Sequence, residues 1–593
     1  MSKALIIIGA TRNQISSDIS EYDFVLTFDK KTPVSNSNYH EIKNLIVKVT
    51  DISVAKRCNC WAIVNAGGEQ LKEISDEIKA EVSKIQYSWI VMYKTAIGTA
   101  EQTLANISVI SQSNGIDVLK GKLKGKPVLI VSGGPSLEKQ IETIKEYQNR
   151  ITIIAIAQTL PVLLSNDIQP DFVCGIDWTE SYVFHYKYLP KTTILIASTA
   201  INRSILKRWN GPIVFTSSLS SDYSHELHKN TVFSIIDKKI GLERGGSVAH
   251  TAISVARYME ASPIVLVGQD CALGECGFTH CVQSITTNKW KIDQQGNMSC
   301  VKQAPRQSSV PPKRKIFAGG PEKIINTNGY YGNDVKATPG LTSFRLTIES
   351  MIKKNSLFVI NATEGGAMIN GAVNRPLKKA FEKYGNIKQE INVSLKQHDD
   401  TELALKLAKS DKEKMNDIKK YINIVKRTNI EIRKLQKDSK KYVQRAKKNS
   451  KYTLLLNNTC KTIPYMRMIL MIGITKCKFE EKSIDKNLKL VNFIEKYFNI
   501  LDEAYNIAIL ELSGADISNK KYGWQYDHAL LDKFDISDAG EYFKYGNYSV
   551  PMLEARAILK DDQSNMLAKS VLTRAIDMRR SRIMAFNKES KTE

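Results

Sequence analysis

The sequence predicts an α/β protein with a Rossmann-like, doubly wound central domain, because three patterns coincide. Short apolar runs recur in the middle of the chain, and they are nearly continuous, as in parallel strands buried on both faces. Segments with helical spacing separate several of these runs. Glycines and polar residues follow the runs, where ligands bind in open α/β sheets. The runs are residues 128–131, 151–157, 172–176, 193–197, 213–215, 264–267 and 357–360.

Two further regions flank the predicted central domain of residues 115–376. Residues 1–114 alternate short apolar runs, at 4–8, 24–28, 61–64 and 89–92, with helical patterns, and we predict a small α/β domain there. Residues 377–593 are predicted to form a basic, all-α domain. Its heptad-like seam indicates an antiparallel helical hairpin. The seam residues are Ile418, Val425 and Ile432, with Tyr421, Leu435 and Tyr442 on the companion position.

The composition indicates a globular protein with reduced cysteines and without a membrane span. The 593 residues are 42% hydrophobic and 25% charged, as in globular proteins. We expect no signal peptide and no membrane span, because the most apolar run, 468–474, is far shorter than the roughly 20 residues a span needs. The odd number of nine cysteines, without a regular framework, favours reduced thiols in a cytoplasm.

Positive charge is concentrated in one segment of a chain whose net charge is +24. Between Lys419 and Lys451, 13 Lys and Arg residues face only Glu431 and Asp438, a local charge of +11. An acidic partner is therefore expected, such as a nucleic acid, an anionic membrane face or a nucleotide-sugar. No nucleic-acid-binding motif or interleaved aromatics accompany the charge, which argues against nucleic acid. A solvated helix face explains the same pattern.

The most informative motif is a glycine bend, at residues 132–137, that follows the run at 128–131. Its sequence is Ser-Gly-Gly-Pro-Ser-Leu, and Leu137, Ile141 and Ile144 then follow at helical spacing. A strand, a tight turn and a helix start at such a junction aim backbone N–H groups at one point, which suits a phosphate. An ordinary structural turn fits the bend equally well. Between residues 271 and 321 the periodicity fails, and we predict a long loop or small hairpin that covers the site.

Several other predicted strands also end in polar residues or glycines. Because carboxyl ends of parallel strands meet at one sheet edge, we expect these residues to converge there. A single residue of this kind is more often a helix cap than a ligand contact. The candidates are Gln158, Thr159, Asp177, Gly246, Ser247, Gln269, Asp270 and Glu364.

These motifs, in this order, resemble the motility accessory factor family of flagellin glycosyltransferases. The similar segments are Gly-Pro-Ser-Leu, Pro-Asp-Phe-Val with Asp177, Gly-Gly-Ser-Val, Gly-Gln-Asp and Asn-Ala-Thr-Glu-Gly-Gly, between residues 121 and 377. Cys271 stands where the family usually has Leu. That family shares its central domain with 6-hydroxymethylpterin diphosphokinases and is similar to sialyltransferases that use a cytidine monophosphate (CMP) sugar.

The resemblance implies transfer of a nonulosonic acid, of pseudaminic or legionaminic type, from a CMP donor to Ser or Thr of flagellin. Phosphate contact is assigned to Gly133, Gly134 and Ser136. Recognition of the nucleotide is assigned to Gln158, Thr159 and Asp177, together with Gln269. Gly246 and Ser247, at a second helix start, are expected to hold the carboxylate or phosphate of the donor.

Three residues are candidates for the base that takes the acceptor proton: Asp270 first, then His280 on the covering loop, then Glu364. His280 also belongs to a Cys271, Cys276, His280, Cys281 cluster, but that spacing lacks the paired Cys-x2-Cys of zinc sites, so no metal is predicted. No cofactor is required, although Mg2+ would assist departure of the leaving group. A pterin diphosphokinase-like enzyme and a non-enzymatic basic scaffold stay open as alternatives.

Overall fold

The computed structural model describes three short N-terminal segments and most of the chain from residue 98 onward. The described ranges are 4–8, 24–28, 61–65, 98–178, 189–217 and 230–589, the last with gaps at 238, 240, 244, 275–276, 285–288, 293–297, 303–323, 386–387, 389–390, 392–398, 434–439, 463–465, 467–469, 471–485, 516–535 and 545–547. The apolar run predicted at 89–92, Leu435 of the seam, and Cys276 lie outside the described residues.

Sixteen strands occur in the described part of the chain, and they fall into four sheets. In chain order they are β1 (Ala4–Ile8), β2 (Phe24–Phe28), β3 (Trp61–Asn65), β4 (Asn114–Gly115), β5 (Val128–Val131), β6 (Thr152–Ile156), β7 (Phe172–Gly175), β8 (Ile194–Ser198), β9 (Ile213–Thr216), β10 (Ile264–Val267), β11 (Lys289–Ile292), β12 (Met298–Lys302), β13 (Ile325–Asn328), β14 (Asp334–Ala337), β15 (Val359–Asn361) and β16 (Val373–Asn374).

The helices of the described residues lie between the strands and in the C-terminal half. They are α1 (Ile107–Gln112), α2 (Leu137–Tyr147), α3 (Leu160–Ser165), α4 (Arg203–Arg208), α5 (Phe233–Asp237), α6 (Val248–Tyr258), α7 (Pro339–Asn355), α8 (Leu377–Tyr384), α9 (Thr401–Arg433), α10 (Lys440–Cys460), α11 (Lys486–Leu512), α12 (Ala539–Lys544), α13 (Ser549–Asp561) and α14 (Met566–Glu589). The predicted α/β class, with a helical C-terminal region, is confirmed.

The central element is a nine-stranded parallel sheet with the strand order β16-β15-β10-β5-β6-β7-β8-β9-β4. All seven apolar runs predicted for the central domain are strands of this sheet, with ends shifted by at most two residues. The order reverses beside β5, whose neighbours are β6 on one side and β10 on the other. A ligand crevice is expected at the carboxyl ends of β5 and β10, because the chain leaves them in opposite directions.

Both faces of the sheet are buried, which explains why the strands read as continuous apolar runs. Val128 and Ile130 of β5 belong to the hydrophobic cluster that includes helix α6. Leu129 and Val131 belong to a second cluster, which includes α2 and α8. Successive side chains of a strand point to opposite faces, so a strand covered on both sides has no polar position. Burying each such side chain stabilises the fold by about 1.5–3 kcal/mol.

Three N-terminal strands form a separate parallel sheet with the order β2-β1-β3. The strands predicted at 4–8, 24–28 and 61–64 are therefore confirmed, the third being one residue longer. Contacts divide the chain into two compact units: one holds residues 1–108, 222–234 and 401–520, and the other holds 109–221, 235–400 and 521–593. The domain boundaries at 114 and 376 stay a prediction.

Within the first unit, α9 lies antiparallel to both α10 and α11. Arg445 of α10 pairs with Glu431 of α9 at 3.0 Å. Further along α10, Asn449 Nδ2 donates over 3.1 Å to Oδ1 of Asn429, which comes earlier in α9. Ion pairs at 2.5 and 2.7 Å, Lys412–Asp502 and Lys426–Glu495, fix α11 in the opposite direction to α9. Ile418 and Val425 of the predicted seam are buried. The predicted antiparallel hairpin is confirmed for these helices.

Within the second unit, the C-terminal helix α13 packs on α3 of the α/β core. Gln283 Oε1 accepts hydrogen bonds from Ser549 Oγ over 3.2 Å and from Asn166 Nδ2 over 3.3 Å. All three residues are buried. Arg556 adds an exposed ion pair with Asp167 at 3.1 Å, which contributes less because water screens it. The buried triplet therefore joins α13 to the segment that follows His280.

No helix among the described residues is both apolar enough and long enough to cross a bilayer.

Replacing Asp411 by Ala should destabilise the first unit. Asp411 is fully buried in α9, and its Oδ2 accepts the backbone N–H of Val232 over 2.8 Å and the hydroxyl of Tyr505 over 3.3 Å. Removing the carboxylate takes the acceptor away from the buried Val232 N–H, which costs about 1–3 kcal/mol. Thermal unfolding should show a lower midpoint for Asp411→Ala. The midpoint should be unchanged for Asp417→Ala, an exposed position on the same helix. Equal midpoints would contradict the structural role of Asp411.

Candidate functional site

The candidate site lies at the carboxyl ends of β5 and β10, where the strand order reverses. The backbone N–H of Gly134 donates to the carbonyl of Gly268 over 2.7 Å, so the two strand-ending bends are in direct contact. Gly268 has a φ of +61°, and a Cβ there would come closer than 3.0 Å to the Ser132 carbonyl. Only glycine fits this conformation and this approach.

The carboxylate of Asp270, which follows β10, lies at the start of helix α2. Its Oδ1 accepts the backbone N–H of Ser136 over 3.1 Å, and its Oδ2 accepts the Ser136 hydroxyl over 2.8 Å. The positive end of the helix therefore faces a carboxylate of the chain itself. A Cβ on Gly134 would come closer than 3.0 Å to Asp270 Oδ2, so this arrangement requires glycine at position 134 as well.

Burial raises the pKa of Asp270 to about 6, although the hydrogen bonds from Ser136 act in the opposite direction. The residue is only 5% exposed, so water stabilises its charged form poorly. A carboxylate with a pKa this close to neutrality can accept a proton and release it again at physiological pH.

The segment that follows a third strand, β15, also contacts Asp270. Ala367 N donates to the Asp270 carbonyl over 2.7 Å. Gly366 has a φ of +68°, and a Cβ there would press on the Asp270 backbone. A Cβ on Gly365 would lie 3.3 Å from the Cβ of Ser136. The segment after β15, predicted from its Glu-Gly-Gly sequence, thus contacts both other strand ends.

Glu364 lies beside this contact and holds a helix start. Its Oε1 accepts Gln140 Nε2 over 3.0 Å and the backbone N–H of Leu377, the first residue of α8, over 2.8 Å. Glu364 is partly exposed and has a φ of +51°. The carboxylate therefore connects α2 to α8.

His280 lies over the glycine bend. Cys281 N donates to the Gly133 carbonyl over 2.9 Å, and the position of a Cβ on Gly133 is 3.6 Å from His280 Cδ2. The same position lies 3.7 Å from Gln158 Oε1 and 3.5 Å from Thr159 Cγ2. Burial lowers the pKa of His280 to about 4, so its imidazole is neutral at pH 7. The segment predicted to cover the bend contacts it at this point.

Two of the expected ligand-binding side chains make internal hydrogen bonds. Thr159 Oγ1 donates to the carbonyl of Ile156, over 2.9 Å. Gln269 Oε1 accepts the Ser132 hydroxyl over 2.7 Å, and Gln269 is buried. The bond between Ser132 and Gln269 joins the ends of β5 and β10. The Thr159 hydroxyl also lies 3.2 Å from the Val131 carbonyl, which joins the end of β6 to β5.

Ser247 and Asp177 follow or precede other elements, Ser247 at the start of α6 and Asp177 after the end of β7. Ser247 is the N-cap of α6: its hydroxyl accepts Ala249 N over 3.3 Å, and its own N–H donates to His250 Nδ1 over 3.1 Å. Gly246 precedes it, exposed, with a φ of +84°. Asp177, two residues beyond β7, is exposed, and its backbone carbonyl accepts Asn202 N over 3.0 Å. Their assignment to the donor stays a prediction.

Two residues on the first turns of α2 also contact the site region and were not predicted from the sequence. Gln140 binds Glu364, and Glu138 Oε1 accepts the backbone N–H of Val282 over 2.7 Å. An acidic residue in a first turn is a recognisable signal, but its partner lies 144 residues away in sequence. Among the described residues, no three His, Cys, Asp or Glu side chains are grouped so as to hold a metal ion.

Comparison with known proteins bears on this same region. Residues 101–275 match the family model described as 6-hydroxymethylpterin diphosphokinase MptE-like. The predicted resemblance of the central domain to those proteins is confirmed over this span. An uncharacterized protein of Treponema pallidum (strain Nichols) is 40% identical over 65 residues, which are 11% of this chain and 31% of that protein. The chain thus spans about a third of the curated relative's length.

A solved structure is also similar to this chain. It is described as the structure of a MAf glycosyltransferase from Magnetospirillum magneticum AMB-1. The alignment covers 83% of this chain and 70% of that one, at 14% identity and a TM-score of 0.44.

Replacing Gly134 by Ala should disrupt the site. The added Cβ would collide with Asp270 Oδ2 and with the Gly268 carbonyl, so the two bends must separate. We expect destabilisation of about 1–3 kcal/mol, as for other overpacked positions, measured as a lower unfolding midpoint in urea. Gly340→Ala is the matched control, because its Cβ would meet nothing closer than Thr338 Oγ1 at 3.7 Å. Equal midpoints for the two variants would contradict the described contact.

Stability should depend on pH through Asp270. Its folded pKa of about 6 lies above the unfolded value of about 3.9, so its contribution is fully present below pH 4 and is lost as pH rises through about 6. The side chain of Asp270→Asn does not ionise. The free energy of unfolding of this variant, relative to wild type, should therefore rise by roughly 2–3 kcal/mol across that pH window. Thermal midpoints recorded from pH 4 to pH 8 measure the difference. A constant difference would contradict the raised pKa.

Proposed function

We propose that this protein is a glycosyltransferase that moves a nonulosonic acid from a CMP-activated donor to Ser or Thr of flagellin. One observation carries the proposal: the glycine bend after β5 and the protonatable Asp270 after β10 meet at the reversal of strand order. That is where open α/β sheets bind nucleotides. The type of sugar and the acceptor come from the resemblance of the motifs to flagellin glycosyltransferases.

The transfer needs a base for the acceptor hydroxyl and donors for the departing phosphate. Asp270 is proposed as the base. The acceptor oxygen bonds to the anomeric carbon of the sugar, its proton passes to Asp270, and the bond to phosphate breaks with its electron pair on CMP. Protonation weakens the hydrogen bonds that the Asp270 carboxylate accepts from Ser136. The N–H and hydroxyl of Ser136 then become free to bind the negative charge that develops on the phosphate.

His280 and Glu364 fit supporting roles better than that of the base. The neutral His280 imidazole lies beside Gly133 and Gln158, where it can hydrogen-bond the phosphate or the nucleotide. Glu364 already accepts two hydrogen bonds through Oε1. Neither role requires a metal, and Mg2+ stays an expected aid to the leaving group only.

An acidic acceptor or donor would be attracted to the basic helices. Lys447 and Lys448 of α10 are exposed.

We propose the cytoplasm as the compartment, since Cys174, Cys271 and Cys281 are free and buried in the catalytic region, as suits a reducing environment.

The second candidate is a pterin diphosphokinase, favoured by the MptE-like match over residues 101–275. Such an enzyme would transfer diphosphate from ATP to the hydroxymethyl group of a pterin, with Mg2+. The same crevice would then hold ATP phosphates on the glycine bend and a flat pterin ring beside it.

Product mass separates the candidates. The full-length protein is incubated with flagellin and a CMP-activated pseudaminic, legionaminic or N-acetylneuraminic acid, and separately with ATP, Mg2+ and 6-hydroxymethyldihydropterin. We expect flagellin to gain the mass of the sugar while CMP is released. Asp270→Asn should lower kcat by about 10²–10⁴-fold, as for loss of a general base, and Asp417→Asn should leave kcat unchanged.

Other products would overturn the proposal. A pterin diphosphate would establish the second candidate, and the absence of any product with either substrate set would favour a non-enzymatic scaffold. Full activity of Asp270→Asn would remove Asp270 as the base.

A further inference from the structure

We propose that Tyr330 and Tyr331, at the tip of the β13–β14 hairpin, form one wall of a subsite for the acidic sugar ring of the donor. The inference rests on the proposed function and adds to it the location of the sugar. None of the sequence motifs pointed to these two tyrosines. They belong to the chain between β13 and β14, an antiparallel pair separate from the central sheet.

Backbone contacts connect the hairpin tip to the site. Tyr330 N donates to the Gly366 carbonyl over 2.9 Å, and Gly329 forms an antiparallel bridge with Ala367. Ala367 in turn donates to the Asp270 carbonyl. The tip is therefore attached to the segment after β15, which itself contacts Asp270 and Ser136. Tyr331 reaches that segment with its side chain too, because its hydroxyl donates to the Glu364 carbonyl over 3.3 Å.

The two tyrosines offer an aromatic surface. Tyr331 is 70% exposed, and its ring lies edge-on to that of Tyr330, with centroids 4.8 Å apart and an interplanar angle of 77°. Such an exposed aromatic, held at its hydroxyl and preceded by the backbone-bonded Tyr330, is suited to pack against the C–H groups of a sugar ring at little entropic cost.

Unpaired polar atoms belong to the hairpin tip and to the chain segments bonded to it. The hydroxyl of Tyr330 and that of Thr363, a residue only 1% exposed, have no hydrogen-bond partner among the described residues. Burial, assisted by the neighbouring Glu364, raises the pKa of Tyr330, so its hydroxyl stays protonated and can donate. Arg375 Nε, directly after β16, is also buried without a partner in the described chain. Hydroxyls and a guanidinium match the hydroxyls and the carboxylate of an acidic sugar.

The placement agrees with the rest of the crevice. Gln158 and Thr159, assigned to the nucleotide, follow β6 on one side of β5, and the tyrosine hairpin lies with β15 on the other side. A donor with its phosphate at the glycine bend would extend its nucleotide toward β6 and its sugar toward β15. Asp270, between them, would lie next to the bond that breaks.

The test compares two probes, CMP and CMP-N-acetylneuraminic acid, by titration calorimetry with the full-length protein. We expect Tyr331→Ala and Tyr330→Phe to weaken binding of the CMP-sugar about tenfold and to leave CMP binding unchanged. Tyr497→Ala is the matched control, since Tyr497 makes a similar edge-on pair with Phe493 on α11, in the other compact unit. It should change neither affinity.

The outcomes distinguish this inference from the proposed function. Unchanged CMP-sugar affinity in both tyrosine variants, with CMP bound normally, overturns the sugar subsite alone. Equal weakening of CMP and CMP-sugar also overturns it, because the tyrosines would then act on the nucleotide or on the fold. If wild type binds neither probe, the proposed function and the subsite fail together. Circular dichroism confirms that each variant is folded, and the conservative Tyr330→Phe keeps the ring in place.

Discussion

The contact between Asp270 and the first turn of α2 constrains the whole candidate site. It joins β10 to β5, and the segment after β15 closes over it. Bringing three strand ends so close leaves no space for side chains, which explains the glycines at 134, 268 and 366. Each hydrogen bond to a charged partner contributes about 1.5–3 kcal/mol, and burial of the carboxylate opposes that gain. The raised pKa of Asp270 reflects this opposition.

The same contact shows that the start of α2, predicted to bind a phosphate, binds a carboxylate of the chain itself. From the sequence, Ser136 was expected to contact a phosphate, and in the structure its N–H and hydroxyl bind a carboxylate. A helix dipole favours either anion. The two assignments are compatible if Asp270 releases these donors when it takes a proton, because protonation of Asp270 would then favour binding of an anion at Ser136.

Much of the fold could be predicted from the sequence, because strands buried on both faces leave a clear apolar signal. The convergence of polar strand ends was also predictable, since parallel strands share an edge. The pairing of Ser136 with Asp270 was not, because it depends on which strands become neighbours across 134 residues of sequence. Side-chain direction was equally hidden: Thr159 and Gln269 turn inward to bind backbone and side-chain partners.

The buried triplet of Gln283, Asn166 and Ser549 has a consequence for how the protein is made. Gln283 follows the histidine that lies on the glycine bend, and its partner Ser549 is 266 residues further along the chain. During translation, the α/β core emerges from the ribosome long before α13 exists. The covering segment must therefore wait for one of its partners, the Ser549 hydroxyl, until synthesis has passed residue 549. The candidate site is thus completed late, after the α/β core has left the ribosome.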